Sequence, residues 1–271
     1  MSSYVEENNE ESILVQNNMV SLPLVPKPPS SKPTEDLTSP TLQDKEKLAR
    51  NPSQYYVKAS FMITYILLLT TGTVTFTESL RTTNVQNRHM LNLQTCISVV
   101  SGYFYSLYLN KIDSAEKVNN PIEWSYILKT RYLDWAITMP VMLIVLCSVL
   151  ATIANKKLMF STMSSVIVLN YVTLIFGLVG EIGSLNTYIA NLFSMSALAT
   201  MFYIIYKSFL DTTRLDSVIV YGFYLLVWLG YRVSYMFNNT YKNIGFNVLD
   251  FVSKTLFGLG LWLYYSKLVT V

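Results

Sequence analysis

Among the ionisable residues inside long apolar stretches of this sequence, four have types and spacing that suit proton-transfer and imine chemistry. One stretch reads TRYLDWAITMPVMLIVL and carries Arg131 and Asp134. Another reads NVLDFVSKTLFGLGLW and carries Asp250 and Lys254. Asp250 and Lys254 stand at i and i+4, so on a helix they stack on one face, and Arg131, Asp134 and Thr138 form a similar stripe. A charge at the centre of a membrane helix costs at least about 2.5–3.5 kcal/mol, which makes each a functional candidate. Such a cluster is poor structural glue, because desolvation can exceed the Coulomb gain. A lysine shielded from water is instead suited to condensing with a carbonyl compound, with Asp134 and Asp250 as counterions to the resulting cation.

The elements that must position these groups are membrane helices. The chain has 271 residues, 51% of them hydrophobic and only 14% charged, where a soluble domain has about 25% charged. Apolar runs occupy roughly 59–80, 89–109, 125–150, 158–180, 186–208, 217–237 and 244–266. Each has the ~20 residues a bilayer demands. In lipid the backbone must bond within its own segment, so the runs are read as helices. The expected fold is an all-α membrane protein, a seven-transmembrane helix bundle over 56–271, with 1–55 as a disordered polar tail. That tail contains KPPSSKPTEDLTSPTLQDKEK, too poor in apolar groups to offset the entropy of ordering. Its start lacks the basic-then-apolar pattern of a cleaved signal peptide. The third and seventh runs cross in the same direction, and at about 1.5 Å per residue Asp134, Asp250 and Lys254 fall within roughly one turn of a common level.

Other classes drop out. A net charge of +3 without a basic stripe gives nucleic acid no footprint. A single histidine, His89, excludes a histidine-cluster metal site. Cys96 and Cys147 lie inside apolar runs and are expected as buried thiols rather than a disulfide. Basic residues such as Arg81, Arg88, Lys156 and Lys157 in the loops on the C-terminal side favour an extracellular N-terminus and a cytoplasmic C-terminus. The basic residues of the tail pull the other way, and the sequon Asn238–Asn239–Thr240 supports the first orientation.

With these residues in place, the sequence resembles the microbial rhodopsin family over essentially all of 56–271. RYLDW…T.P is similar to the family's counterion helix, and LDFVSK followed by FGL to its retinal-attachment helix; GLVGEIG also matches. The resemblance implies a photoreceptor rather than an enzyme, with all-trans retinal on Lys254. Asp134 would be the primary counterion, Asp250 the second, and Thr138 a support for Asp134. Trp135, Trp228 and Tyr231 would line the polyene, and Met142 would tune it toward green absorption. It further implies a lipid-embedded homo-oligomer that moves ions.

The output stays open between channel, pump and sensor, since one fold hosts several functions. The place of a pump's proton donor is taken by Val145, which cannot carry a proton. FTESLRTTN…RHMLNLQTCISVVSGYFYS resembles rhodopsins of large DNA viruses, several of them light-gated cation channels. Asn243 and Asn247 match asparagines along that group's ion path, and Arg131 backs the cluster; Gln94 stands where the viral motif has glutamate. A light-gated cation channel is therefore expected, a slow proton pump or a sensory rhodopsin being the alternatives. Arg232 departs from the family's proline. Counted along its helix it lies level with Asp250, and would leave excess positive charge near the pocket unless Glu181 or water compensates.

Overall fold

Capping groups at the ends of the apolar runs mark where several of the helices begin and stop. The computed structural model describes residues 52–118 and 120–266. Among them there are seven helices and no strand: α1 (Pro52–Arg81), α2 (Val85–Lys117), α3 (Trp124–Ile153), α4 (Phe160–Glu181), α5 (Thr187–Phe209), α6 (Leu215–Tyr235) and α7 (Asn239–Tyr265). Asn84, Asn186 and Asn238 cap α2, α5 and α7, each side-chain oxygen accepting from backbone N–H groups of the first turn. α3 and α4 end on residues with positive φ, Asn155 (54°) and Gly183 (78°). The N–H groups that follow, on Lys156 and Ser184, reach back to Ala151 and Val179 at 2.8 and 3.1 Å and so close both C-termini.

The expected bundle is present, with longer edges. α1 starts at Pro52, inside the stretch expected as tail; residues 1–51 of that tail lie outside the described residues. α2 continues through Lys117 because Lys58 of α1 holds Asp113 and Glu116 at 2.7 and 2.6 Å. α7 starts at Asn239, so most of the expected loop NNTYKN is helix. Six helices are long and apolar enough to cross a bilayer, and α2 is the exception. Its polar side chains are not scattered. Gln94, Ser98, Ser101, Tyr105 and Tyr108 recur at steps of four and three and are all buried, which is one face of a helix turned inward. Of the two cysteines Cys147 is buried and Cys96 is exposed; both are free, and Cys96 corrects the expectation of two buried thiols.

α1 packs on α2 and α7, while α3 touches α2, α4, α5 and α6. The larger apolar cluster is built on α3 and includes Trp135, Met142, Val145, Trp228 and Tyr231. Pro140 sits inside α3. Proline has no N–H for the carbonyl four residues back, here Ala136, and in lipid no water replaces it. Tyr171 of α4 does so instead, its hydroxyl donating to Ala136 O at 3.1 Å.

That repair generates a double-mutant test. Tyr171→Phe should lower the thermal midpoint by an amount equivalent to about 1–3 kcal/mol. In a Pro140→Ala background the restored N–H serves the carbonyl, and the same change should cost less than half as much. Equal costs in both backgrounds would remove the repair role from Tyr171.

Candidate functional site

Lys254, Asp134, Asp250 and Arg131 meet in the middle of the bundle, and none has any solvent exposure. Lys254 Nζ lies 3.0 Å from Asp134 Oδ2 and 3.4 Å from Asp250 Oδ1. It also donates to Ser101 Oγ at 2.7 Å. That hydroxyl passes its own hydrogen to Asp134 Oδ1 at 2.8 Å, so α2 bridges the amine and the acid. Thr138, one turn along α3, lies 3.2 Å from the same oxygen. Asp250 is held more firmly. Tyr231 and Tyr105 hydroxyls stand 2.6 and 2.8 Å from its oxygens, and Arg131 Nη1 and Trp135 Nε1 follow at 3.2 and 3.4 Å.

Arg131 completes the group. Its Nη2 donates to Asn247 Oδ1 at 2.8 Å and approaches Asn243 Oδ1 at 3.5 Å. The rings of Phe61, Tyr105, Tyr108 and Phe246 surround its guanidinium at 5.1–5.6 Å from their centroids, a cage in which a desolvated cation is stabilised by ring faces. Two cations thus face two carboxylates, and the quartet is neutral when all are ionised. Neutrality is what a site of low dielectric requires.

Local backbone geometry presents the lysine. α7 widens to a π-turn over Phe251–Leu256, a form that recurs at functional positions. Gln94 Nε2 donates to the Lys254 carbonyl at 2.6 Å. Gly258, one turn on, leaves room for that amide, because a Cβ there would collide with it. Gln94 therefore grips the backbone of the lysine rather than standing free.

An apolar enclosure adjoins the amine. Trp135 packs edge-on against Tyr231 and Phe246 at 5.2 and 4.9 Å, and Trp228 lies 6.3 Å from Tyr231. Met142 is buried two turns along α3 from Trp135. A primary amine at the edge of an aromatic box fits an aldehyde on a long polyene. The indole Nε1 of Trp228 is buried there without a partner.

Arg232 is the residue the structure does not bring to the quartet. It is 4% exposed and donates to Ser194 Oγ at 2.7 Å. Its guanidinium lies over the Tyr235 ring, and no carboxylate is among its partners. Glu181 does not compensate it, for both its oxygens bind Lys242 Nζ, at 2.8 and 3.1 Å. Level along the axis did not mean adjacent around it. Ser101, Tyr105, Tyr108, Phe246 and Ser253 were absent from the sequence reading. The polar stripe on α2 carries the signal for the first three.

The family described as bacteriorhodopsin-like protein matches residues 57–268. The green-light absorbing proteorhodopsin of Gamma-proteobacterium EBAC31A08 is 28% identical over 149 residues, 49% of this chain; the match spans 59% of that relative's length. Among solved structures, viral rhodopsin OLPVRII is 36% identical with a TM-score of 0.73, covering 79% of this chain and 100% of the other. Blue light-absorbing proteorhodopsin from Med12, at 22% identity, a TM-score of 0.61 and coverage of 78% and 97%, is similar in fold. A match of this extent, on a bundle with a buried lysine between two acids, means that the chain belongs to the bacteriorhodopsin-like family, the microbial rhodopsins, and resembles its viral members.

Proposed function

We propose that this protein is a light-gated cation channel that carries all-trans retinal on Lys254. Members of the family bind retinal through a Schiff-base lysine, and Lys254 is the one lysine with no exposure among the described residues. Bound there, retinal supplies light absorption and isomerisation. The protein's own groups do the rest. Asp134, nearest to Nζ and held by hydroxyls alone besides it, is placed to receive a proton. Asp250 has four further donors around it and serves as the fixed counterion. Trp135, Trp228, Tyr231 and Met142 exclude water from the polyene.

The observation that carries the channel reading is a set of buried hydroxyls without partners. Ser98 Oγ and Thr255 Oγ1 lie beyond Lys254 toward the C-terminal end of α7, and Tyr108 lies on the other side. A buried hydroxyl left unbonded calls for water or an ion. These groups belong to facing polar stripes: Gln94, Ser98, Ser101, Tyr105 and Tyr108 on α2, Thr64, Thr71 and Thr75 on α1, and Asn243, Asn247 and Thr255 on α7, all buried. Hydroxyls and amides can replace part of a cation's water without holding it too tightly. In the dark the path is closed where Asn243 and Asn247 grip Arg131. The proposal places the N-terminus and the tail outside and the C-terminus in the cytoplasm, in lipid, as a homo-oligomer.

A slow proton pump is the second reading. The 3.0 Å contact of Lys254 Nζ with Asp134 is a proton-transfer distance. On the opposite side, Val145 is buried in the apolar cluster, and Asp134 and Asp250 are the only fully buried acids among the described residues. Reprotonation would then depend on water alone.

Photocurrent recorded against voltage in a cell expressing the full chain decides between them. A current that reverses at the equilibrium potential of the permeant cation supports the channel. One that stays outward at all voltages makes it a pump, and none at all leaves a sensor. Lys254→Ala should fold yet form no visible pigment with all-trans retinal, and a retained band would remove the attachment site. Gln94→Leu should keep the pigment but lower its thermal midpoint, by the equivalent of about 1–3 kcal/mol for a buried carbonyl that loses its donor.

A further inference from the structure

The buried charges of the outer half do not balance. Arg131 and Lys254 are met by Asp134 and Asp250, and Lys242 by Glu181. Arg232 remains, a guanidinium that cannot shed its proton in a protein. Its neighbours are neutral. Nη1 bonds Ser194 Oγ, whose hydrogen is already given to the Thr173 carbonyl at 2.9 Å. The Tyr235 ring lies between two cations, with Arg232 at 5.7 Å and Lys242 at 5.4 Å from its centroid. An isolated buried charge costs several kcal/mol, so a missing partner is a strong requirement.

The same place holds a second unmet group. Tyr132 is 5% exposed, and its hydroxyl has no hydrogen-bond partner. Both groups converge on Gly177 of α4. A Cβ at Gly177 would lie 2.8 Å from Tyr132 Oη and 3.2 Å from Arg232 Nη1. The missing side chain thus lets an O–H donor and a guanidinium pack close together against the backbone of α4. One turn further along both helices, Leu128, Lys129 and Glu181 line a cavity of about 200 Å³.

We propose that Arg232 and Tyr132, across Gly177, bind a small monovalent anion such as chloride. A charged donor and an O–H donor side by side, with no carboxylate bonded to either, suit a halide. The site is separate from Lys254 and its occupancy does not depend on a chromophore.

The test is thermal unfolding of the purified full-length protein, followed by tryptophan fluorescence, in sodium chloride against sodium gluconate at equal ionic strength. In the unsubstituted protein the midpoint should rise saturably with chloride, by about 2–4 °C. Arg232→Gln should show no chloride dependence, and Tyr132→Phe should need several-fold more chloride to reach half the rise. If Arg232→Gln does not fold, Gly177→Ala, whose methyl would push the two donors apart, should blunt the response. Identical midpoints in chloride and gluconate for the unsubstituted protein overturn the proposal. So does a full chloride response in Arg232→Gln or Gly177→Ala, since the anion would then act elsewhere.

Discussion

A charge in the interior of a membrane bundle must be matched, and in this protein the shortest pairs run between helices, with Lys254–Asp250 a longer pair within α7. Arg131 and Asp134 share α3 but bond outward, the arginine to Asp250 and the asparagines of α7, the acid to Lys254 and Ser101. Breaking a buried pair by removing one partner costs about 3–5 kcal/mol. Four such groups therefore specify how α2, α3, α6 and α7 must be rotated, far more tightly than apolar packing does. Leucine against lipid and leucine against leucine differ little. A mis-rotated helix strands a charge.

The same rule explains the local irregularities. α7 departs from α-helical geometry where it carries the lysine, and Gln94 of α2 bonds the carbonyl at that turn. α3 contains a proline one turn beyond Asp134's neighbour Ala136, and Tyr171 of α4 replaces the lost bond. In water both defects would be solvated. In lipid each needs a named side chain, so the irregular backbone of one helix fixes the identity of a residue on the next.

Length and composition make the seven helices legible, and the spacing of Asp250 and Lys254 makes the quartet legible, because depth follows from a fixed rise per residue. Rotation about the axis is a different matter. Arg232 has the depth of Asp250 yet faces Gly177 and Ser194, and nothing in a one-dimensional spacing between different helices encodes that angle. Boundaries failed where polar residues continue a helix beyond the membrane: α2 runs on through Lys117 because Lys58 ties its acidic end to α1. The α2 stripe was readable in principle. Its four-and-three periodicity is a helical face, obscured because hydropathy averaging treats inward polar groups as a weaker span.

The polar interior is also unevenly bonded. Between Lys254 and the N-terminal end of α7, Tyr105, Arg131, Asn247 and Asp250 bond one another, with Arg131 Nε and the Tyr108 hydroxyl left over. Toward the other end, Ser98 and Thr255 have no partners, and Val145 offers only packing. On the proposed reading the bonded and the unbonded groups do different work in the path. The Arg131–Asp250–Asn247 group is a closed gate whose opening must replace specific bonds, while the unbonded hydroxyls on either side exchange water for water. A change at Lys254 needs to act only on the contacts it already touches, Asp134, Asp250 and Ser101, because Asp250 is held by the same Arg131 that closes the path. On that reading a rearrangement at Lys254 is coupled to conduction through one shared carboxylate.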